Sequence, residues 1–261
     1  MTFANAKQRF SNRVADYVRY RPSYPAGVLN ILEENCGLHR EHVVADIGSG
    51  TGLLSKLFVE NGNHVYGVEP NSEMQAAGEE FLHAYPNFAS VSGSAEASTL
   101  SEHSIDFVTA GQAFHWFDPV QCRKEFSRIL KTGGWVVVVC NERQTDSTPF
   151  LRDYEALLHR FGTDYARVSD SYPLPEDMGE FFGPHNYLPF ELPNLQEFDF
   201  DGLSGRLRSS SYAPAMGHPD FPQMMNELKH IFAAYQQNGT VRFDYRTRIY
   251  AGNLDSARNN G

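Results

Sequence analysis

Cysteine is scarce in this 261-residue chain, and the three present, Cys36, Cys122 and Cys140, form no C-x-x-C pair and no metal-ligand spacing. That excludes a disulfide scaffold and a thiolate metal centre; three buried, reduced, structural thiols are expected. Long hydrophobic runs are missing too, none approaching the ~18 residues that span a bilayer. The opening stretch Met1–Phe10 lacks the apolar core of a signal peptide, so a cytoplasmic location without a membrane partner is expected. Positive charge is in deficit, with 22 Lys and Arg against 32 Asp and Glu and a net charge of −10. This argues against a nucleic-acid partner, which needs clustered Lys and Arg, but leaves room for a local basic pocket holding a small anion. Internal repeats and low-complexity tracts are absent. A hydrophobic share of 41% and a charged share of 21% fit one large globular α/β domain with room for an inserted cap.

The most informative stretch is Val43-Val44-Ala45-Asp46-Ile47-Gly48-Ser49-Gly50-Thr51-Gly52. An apolar run that stops at alternating glycines predicts a buried strand ending in a tight turn, and Leu53–Phe58 continues as a helix. Glycine there permits positive φ and close approach to a ligand. The spacing discriminates between ligands. A dinucleotide fingerprint G-x-G-x-x-G would place its third glycine at position 53, which is Leu53.

The alternation of elements beyond this turn predicts an open, mostly parallel sheet. A helix is expected over Asn5–Tyr20, ending at Arg21-Pro22-Ser23-Tyr24-Pro25, and another over Gly27–Cys36. Strands follow at 43–47, at His64–Pro70, at Phe88–Ser92, Ile105–Ala110 and Trp135–Cys140. Helices are predicted from Asn71 or Ser72 onward and over 119–131, the latter stopping at Thr132-Gly133-Gly134. Later come a helix over Phe150–Phe161, a Pro- and aromatic-rich stretch over 172–195 with little periodicity, a strand over Glu197–Asp201, a helix over Asp220–Gln237 and a strand over Thr240–Tyr250. Asp255–Gly261 is expected to fray.

Four groups of residues carry chemistry. After the glycine turn, Glu69-Pro70 ends the second strand, where an acid accepts hydrogen bonds from ribose hydroxyls; an ordinary solvated Glu is the alternative. Ser94-Ala95-Glu96 follows the third strand, where a small residue and a carboxylate can hold an adenine edge. Gln112-Ala113-Phe114-His115-Trp116-Phe117 follows the fourth, and its aromatic faces suit a sulfonium cation, though two or more of the rings serve equally as core. His115 reads as a general base or as a structural, hydrogen-bonded histidine.

Together, Asp46/Gly48/Gly50/Gly52, Glu69-Pro70, Ser94-Ala95-Glu96 and Gln112–Phe117 resemble, in this order, the motifs of class I S-adenosylmethionine (AdoMet) methyltransferases. The similarity is greatest to the small-molecule subgroup of trans-aconitate-methyltransferase-like proteins, which carry segments similar to Tyr20–Pro25 and Gly202–Tyr212. The resemblance covers about residues 10–140 well and 150–261 more loosely. It implies a Rossmann-like, doubly wound, seven-stranded, mostly parallel sheet with an antiparallel C-terminal strand and a helical or irregular cap. A single domain would then divide into lid helices (1–40), an AdoMet-binding core (41–142), a cap and substrate region (150–240) and a last strand (240–252). The resemblance further implies that the turn Gly48, Ser49, Gly50, Thr51 and Gly52 lies against the methionine part of AdoMet, with Asp46 supporting the turn. Glu69 would bind the ribose, Pro70 would pack near the adenine, Ser94, Ala95 and Glu96 would contact the adenine edge, and Gln112 would lie beside the transferred methyl. Arg21 and Tyr24 would close over the cofactor.

The acceptor is expected to be a small molecule. For a carboxylic acid no base is needed, and Arg206, Arg208 and Arg21 are the candidate anchors. For a phenol or amine, His115, Tyr17 or Tyr24 are the candidate bases. Tyr17 and Trp116 are also candidate acceptor contacts, and residues 165–216 a candidate cap. No metal is expected, and the sequence leaves the oligomeric state open. Two alternatives stay open at this level: a nicotinamide-dependent oxidoreductase and a non-catalytic AdoMet-binding module.

Overall fold

A computed structural model describes residues 18–163, 165, 175–183 and 186–254. The strands are β1 (Val43–Ile47), β2 (His64–Val68), β3 (Phe88–Val91), β4 (Ile105–Gly111), β5 (Leu130–Arg143), β6 (Tyr187–Phe198) and β7 (Val241–Gly252). The helices are α1 (Gly27–Cys36), α2 (Leu53–Asn61), α3 (Ser72–Leu82), α4 (Pro119–Ile129), α5 (Pro149–Phe161), α6 (Pro175–Phe182), α7 (Phe200–Arg208) and α8 (Phe221–Tyr235).

All seven strands form one sheet in the order β3-β2-β1-β4-β5-β7-β6. Pairings from β3 through β5 are parallel, whereas β7 runs antiparallel to both β5 and β6. Strand β5 shows why two layers of helices are needed. Val136, Val138 and Cys140 face one cluster with Cys122, Phe126 and Ile129 of α4 and Met178 and Phe181 of α6. Val137 and Val139 face the opposite cluster with Val28 and Leu32 of α1 and Phe58 of α2. Successive side chains of a strand point to opposite faces, so an unbroken valine run requires cover on both. A third cluster joins α5, α7 and α8 to Val241, Phe243 and Tyr245 of β7. The fold class expected from the sequence is thus the one observed.

Several element boundaries differ from expectation. Helix α4 stops at Ile129 because Leu130 already pairs with Ile105 of β4; Gly133, at φ 77°, lies in the irregular entry to β5 instead of capping the helix. Residues 175–182 are helical, starting at Pro175, and Met178, Phe181 and Phe182 are buried against the sheet. The strand expected over Glu197–Asp201 is instead the end of β6. Asp199 accepts a hydrogen bond from the Gly202 N–H at 2.7 Å and caps α7. Pro189 and Pro193 hide β6 in the sequence, yet a strand paired on one side only tolerates residues without an N–H. Of the helix expected over Asn5–Tyr20 only residues 18–20 are described, and 255–261 lie outside the described residues.

Candidate functional site

The carboxyl ends of β1, β2, β3 and β4 deliver the glycine turn, Glu69, Ser94–Glu96 and Gln112 to one rim of the sheet. Strand order reverses between β1 and β4, which is where open α/β sheets bind ligands. Val68 O receives the Gly48 N–H at 2.8 Å and the Ser49 N–H at 3.1 Å, so the turn is strapped to β2. Gly48 at φ 68° would place a Cβ 2.7 Å from the Ala113 Cβ, and Gly52 at φ 82° would place one 2.7 Å from Leu82 Cδ1. Both positions therefore need glycine for backbone conformation and for packing. Glu69 accepts the Gly50 N–H at 2.9 Å and the Asn71 N–H at 2.8 Å, locking its carboxylate beside the turn. Gly48, Ser49, Gly50 and Pro70 retain partial exposure.

Asp46 and Thr51 sit differently. Asp46 is fully buried and accepts Ser55 Oγ at 2.6 Å and Thr109 Oγ1 at 3.2 Å, so it ties β1 to α2 and β4 beneath the turn. Burial pushes its carboxyl up to about 6, although the two hydroxyls oppose this. Thr51 is buried as well, and its side chain faces protein. Any contribution of these two to a ligand passes through the shape of the turn.

Ser94 and Ala97 exchange backbone hydrogen bonds of 3.1 and 3.2 Å, closing a small loop that buries Ala95. Glu96 accepts the Asp118 N–H at 3.1 Å, joining this loop to the start of α4. Gln112 holds φ 53°, a strained conformation for a residue with a side chain. Its N–H donates to Val139 O and its Nε2 to Asn141 O, both at 3.0 Å, while its Oε1 is buried with no hydrogen-bond partner among the described residues.

A cleft opens beside Gln112. Its walls bring together Arg21, Tyr24 and Arg206 from the residues singled out in the sequence. Arg21 Nη2 donates to Ser209 O at 2.9 Å. Tyr24 packs over Gly111, where a Cβ would meet its hydroxyl at 2.6 Å. Arg206 is only 5% exposed, and its guanidinium donates to Tyr245 Oη at 3.2 Å and Ser210 Oγ at 3.0 Å. No carboxylate among the described residues pairs with it. Arg143, also in the cleft, pairs with Glu155 and donates to Tyr165 Oη at 2.9 Å, while its Nη1 is buried without a partner among the described residues. Burial alone would raise the Tyr212 phenol, but the charges of Arg206, Arg143 and Arg21 outweigh it and hold it below its ordinary value.

His115, Trp116 and Arg208 do not line this cleft. His115 and Trp116 lie in a single turn after β4, their rings 4.8 Å apart and tilted by 45°, and burial pushes the His115 imidazole down to about 4. That histidine is neutral near pH 7 and weakly basic, which leaves the general-base expectation for it without support in this geometry. Tyr17 lies outside the described residues. Conversely, sequence reasoning passed over Asn141, Arg143, Glu155 and Tyr245. For the first two a signal existed: polar residues directly after the valine run of β5 fall on the same rim as Gln112. Helix α6, within the expected cap, packs on the sheet; α7 and Tyr212 supply the wall.

The Methyltransferase domain model matches residues 45–138. An uncharacterized methyltransferase-like protein of Schizosaccharomyces pombe is 24% identical over 258 residues, covering 95% of this chain and 96% of that one. An uncharacterized methyltransferase of Mycobacterium bovis is 34% identical over 167 residues, and that match spans 64% of each chain. Among solved structures, a candidate type II methyltransferase from Anaeromyxobacter dehalogenans superposes with a TM-score of 0.65 at 20% identity, covering 90% of this chain and 98% of that one.

Proposed function

We propose that this chain, an AdoMet-dependent methyltransferase of class I fold, methylates a small acceptor carrying an anionic group, of which a carboxylic acid is the simplest case. The nicotinamide alternative falls with that family match and with Leu53 in place of the third glycine.

The residues present fit the cofactor. Gln112 Oε1 is a buried acceptor lacking a donor among the described residues, as a ligand ammonium would require, and the carboxylate of Glu69 stands at the rim beside the open backbone of Gly48–Gly50. When bound, AdoMet supplies a methyl on a sulfonium whose departure leaves a neutral thioether. The chain's own part is alignment, exclusion of water and charge. In this reading Glu69 holds the ribose hydroxyls, the Gly48–Gly50 backbone and Gln112 hold the methionine part, and Arg21 and Tyr24 cover it.

The observation that carries the acceptor is Arg206. Among the described residues this buried guanidinium bonds to the neutral hydroxyls of Tyr245 and Ser210 and meets no counter-charge, a costly state that an anionic ligand relieves. A carboxylate is its own nucleophile and needs no base, which agrees with the neutral, weakly basic His115. Arg206→Ala should raise the acceptor KM by about 30-fold or more, from the ~2 kcal/mol or more that such pairs carry. AdoMet affinity should change by less than about threefold. Equal loss for both ligands, or a preference for neutral amines over acids, would overturn the assignment.

A further inference from the structure

The segment Tyr20–Pro25, which the resemblance assigns to cofactor closure, is fastened from the inside. We infer that Asn141 is a positioning residue that holds this segment in its cofactor-covering place and registers it with Gln112. The inference rests on AdoMet being the ligand of the rim, and is independent of which acceptor is used.

The geometry is specific. Asn141 lies near the end of β5, 2% exposed, facing Thr247 of β7 in the sheet register. Its Oδ1 accepts Thr247 Oγ1 at 2.6 Å and Asn194 Nδ2 at 3.1 Å. These two bonds fix which end of the amide is oxygen, so Nδ2 points to Ser23 O at 3.2 Å and Pro22 O at 3.5 Å. Asn194 Nδ2 reaches the same Ser23 carbonyl at 2.8 Å. The backbone carbonyl of Asn141 accepts Gln112 Nε2 at 3.0 Å, which directs the Oε1 of that amide. One buried residue thus grips the Arg21–Tyr24 segment with its side chain and the methionine-side Gln112 with its main chain.

Carbonyls with no donors of their own nearby would otherwise leave the short Pro22-Ser23 stretch to water. Two asparagine amides, from the β5 and β6 strands that flank β7, replace that water with fixed donors. Arg21 and Tyr24, on either side, are then presented to the cleft in one arrangement. Ordering a cover before the ligand arrives removes an entropic cost from binding.

Asn141→Asp separates this role from simple packing. It keeps the shape, keeps Oδ1 for Thr247 and Asn194, and leaves the Gln112 bond to the main chain. Only the donor toward Pro22 and Ser23 is lost, replaced by an oxygen that repels both carbonyls. AdoMet binding by calorimetry should weaken by about tenfold or more, the scale of one or two buried hydrogen bonds. In a double-mutant cycle the loss should be strongly non-additive with Arg21→Ala, because both act through one segment. Asn194→Ala, at a half-buried edge position, should weaken binding in the same direction by a smaller factor. Wild-type affinity in Asn141→Asp, or full additivity with Arg21→Ala, would overturn the inference. If Asn141→Asp does not fold, unchanged affinity in Asn194→Ala overturns it on its own. Failure of the unmodified chain to bind AdoMet would instead remove the cofactor reading beneath it.

Discussion

Asp46 and Arg206 are both buried ionisable groups, and they answer burial in opposite ways. Burial raises the Asp46 carboxyl to about 6, against the Ser55 and Thr109 hydroxyls, and no cation among the described residues pairs with it. The folded value lies above the unfolded one, so the folded chain holds that proton more tightly. The associated stability is present at low pH and falls as pH climbs from about 4 to about 6. The full gap corresponds to roughly 3 kcal/mol. Asp46→Asn removes the titration while keeping an acceptor for Ser55. Urea unfolding at a series of pH values should show the variant gaining on the wild type between about pH 4 and 6, with a constant difference above. A flat difference across that window would contradict the burial assigned to Asp46. Arg206 keeps its charge, bonded to Tyr245 and Ser210, and in the proposed function an anionic ligand relieves the remaining cost. His115 is the third case: held down to about 4, it stays neutral through the physiological range. His115→Gln should therefore lower kcat by less than about tenfold, against the 10²–10⁴-fold of a true general base. A loss of that larger size would restore the base role.

At the scale of elements, the decisive meeting is between Tyr20–Pro25 and α7. A Cβ on Gly205 would lie 2.0 Å from the Tyr20 ring, and Arg21 donates to Ser209 just past the end of the helix. Gly205→Ala gains up to about 1 kcal/mol of helix propensity. It must nevertheless displace the ring and the segment behind it. Weaker AdoMet binding without a lower melting temperature is the expected outcome by calorimetry and thermal unfolding, and unchanged binding would show the segment to be decoupled from the cleft. This meeting was only half legible in the sequence. Both segments carried the family resemblance, but nothing in their spacing said that they touch. The glycine turn, Glu69 and Gln112 were readable because each follows an apolar strand directly. Asn141 was not, because its partners Ser23, Asn194 and Thr247 are brought together by the sheet from distant parts of the chain. Strand β6 was obscured by its prolines, and α7 by an apolar-polar alternation that Asp199 redirects into a helix.

At the scale of the whole molecule, the acidic surplus of the chain does not extend to its cleft, where three arginines stand with Glu142 and Glu155. The net charge of −10 is a property of the whole, whereas Arg21, Arg143 and Arg206 converge on one recess. The sheet makes this convergence. In the proposed function strands β1 through β4 supply the cofactor rim, while β7 and α7 supply Tyr245 and Arg206 on the acceptor side. No helix among the described residues is long and apolar enough to cross a membrane. The central claim is that a methyl passes to an acid held at Arg206. The most direct measurement is to incubate the chain with labelled AdoMet and a panel of small acids, amines and phenols, then to treat each labelled product with mild alkali. The account predicts label in acids alone, as methyl esters that alkali releases. Label that survives alkali, or that appears in amines or phenols in preference to acids, would contradict it.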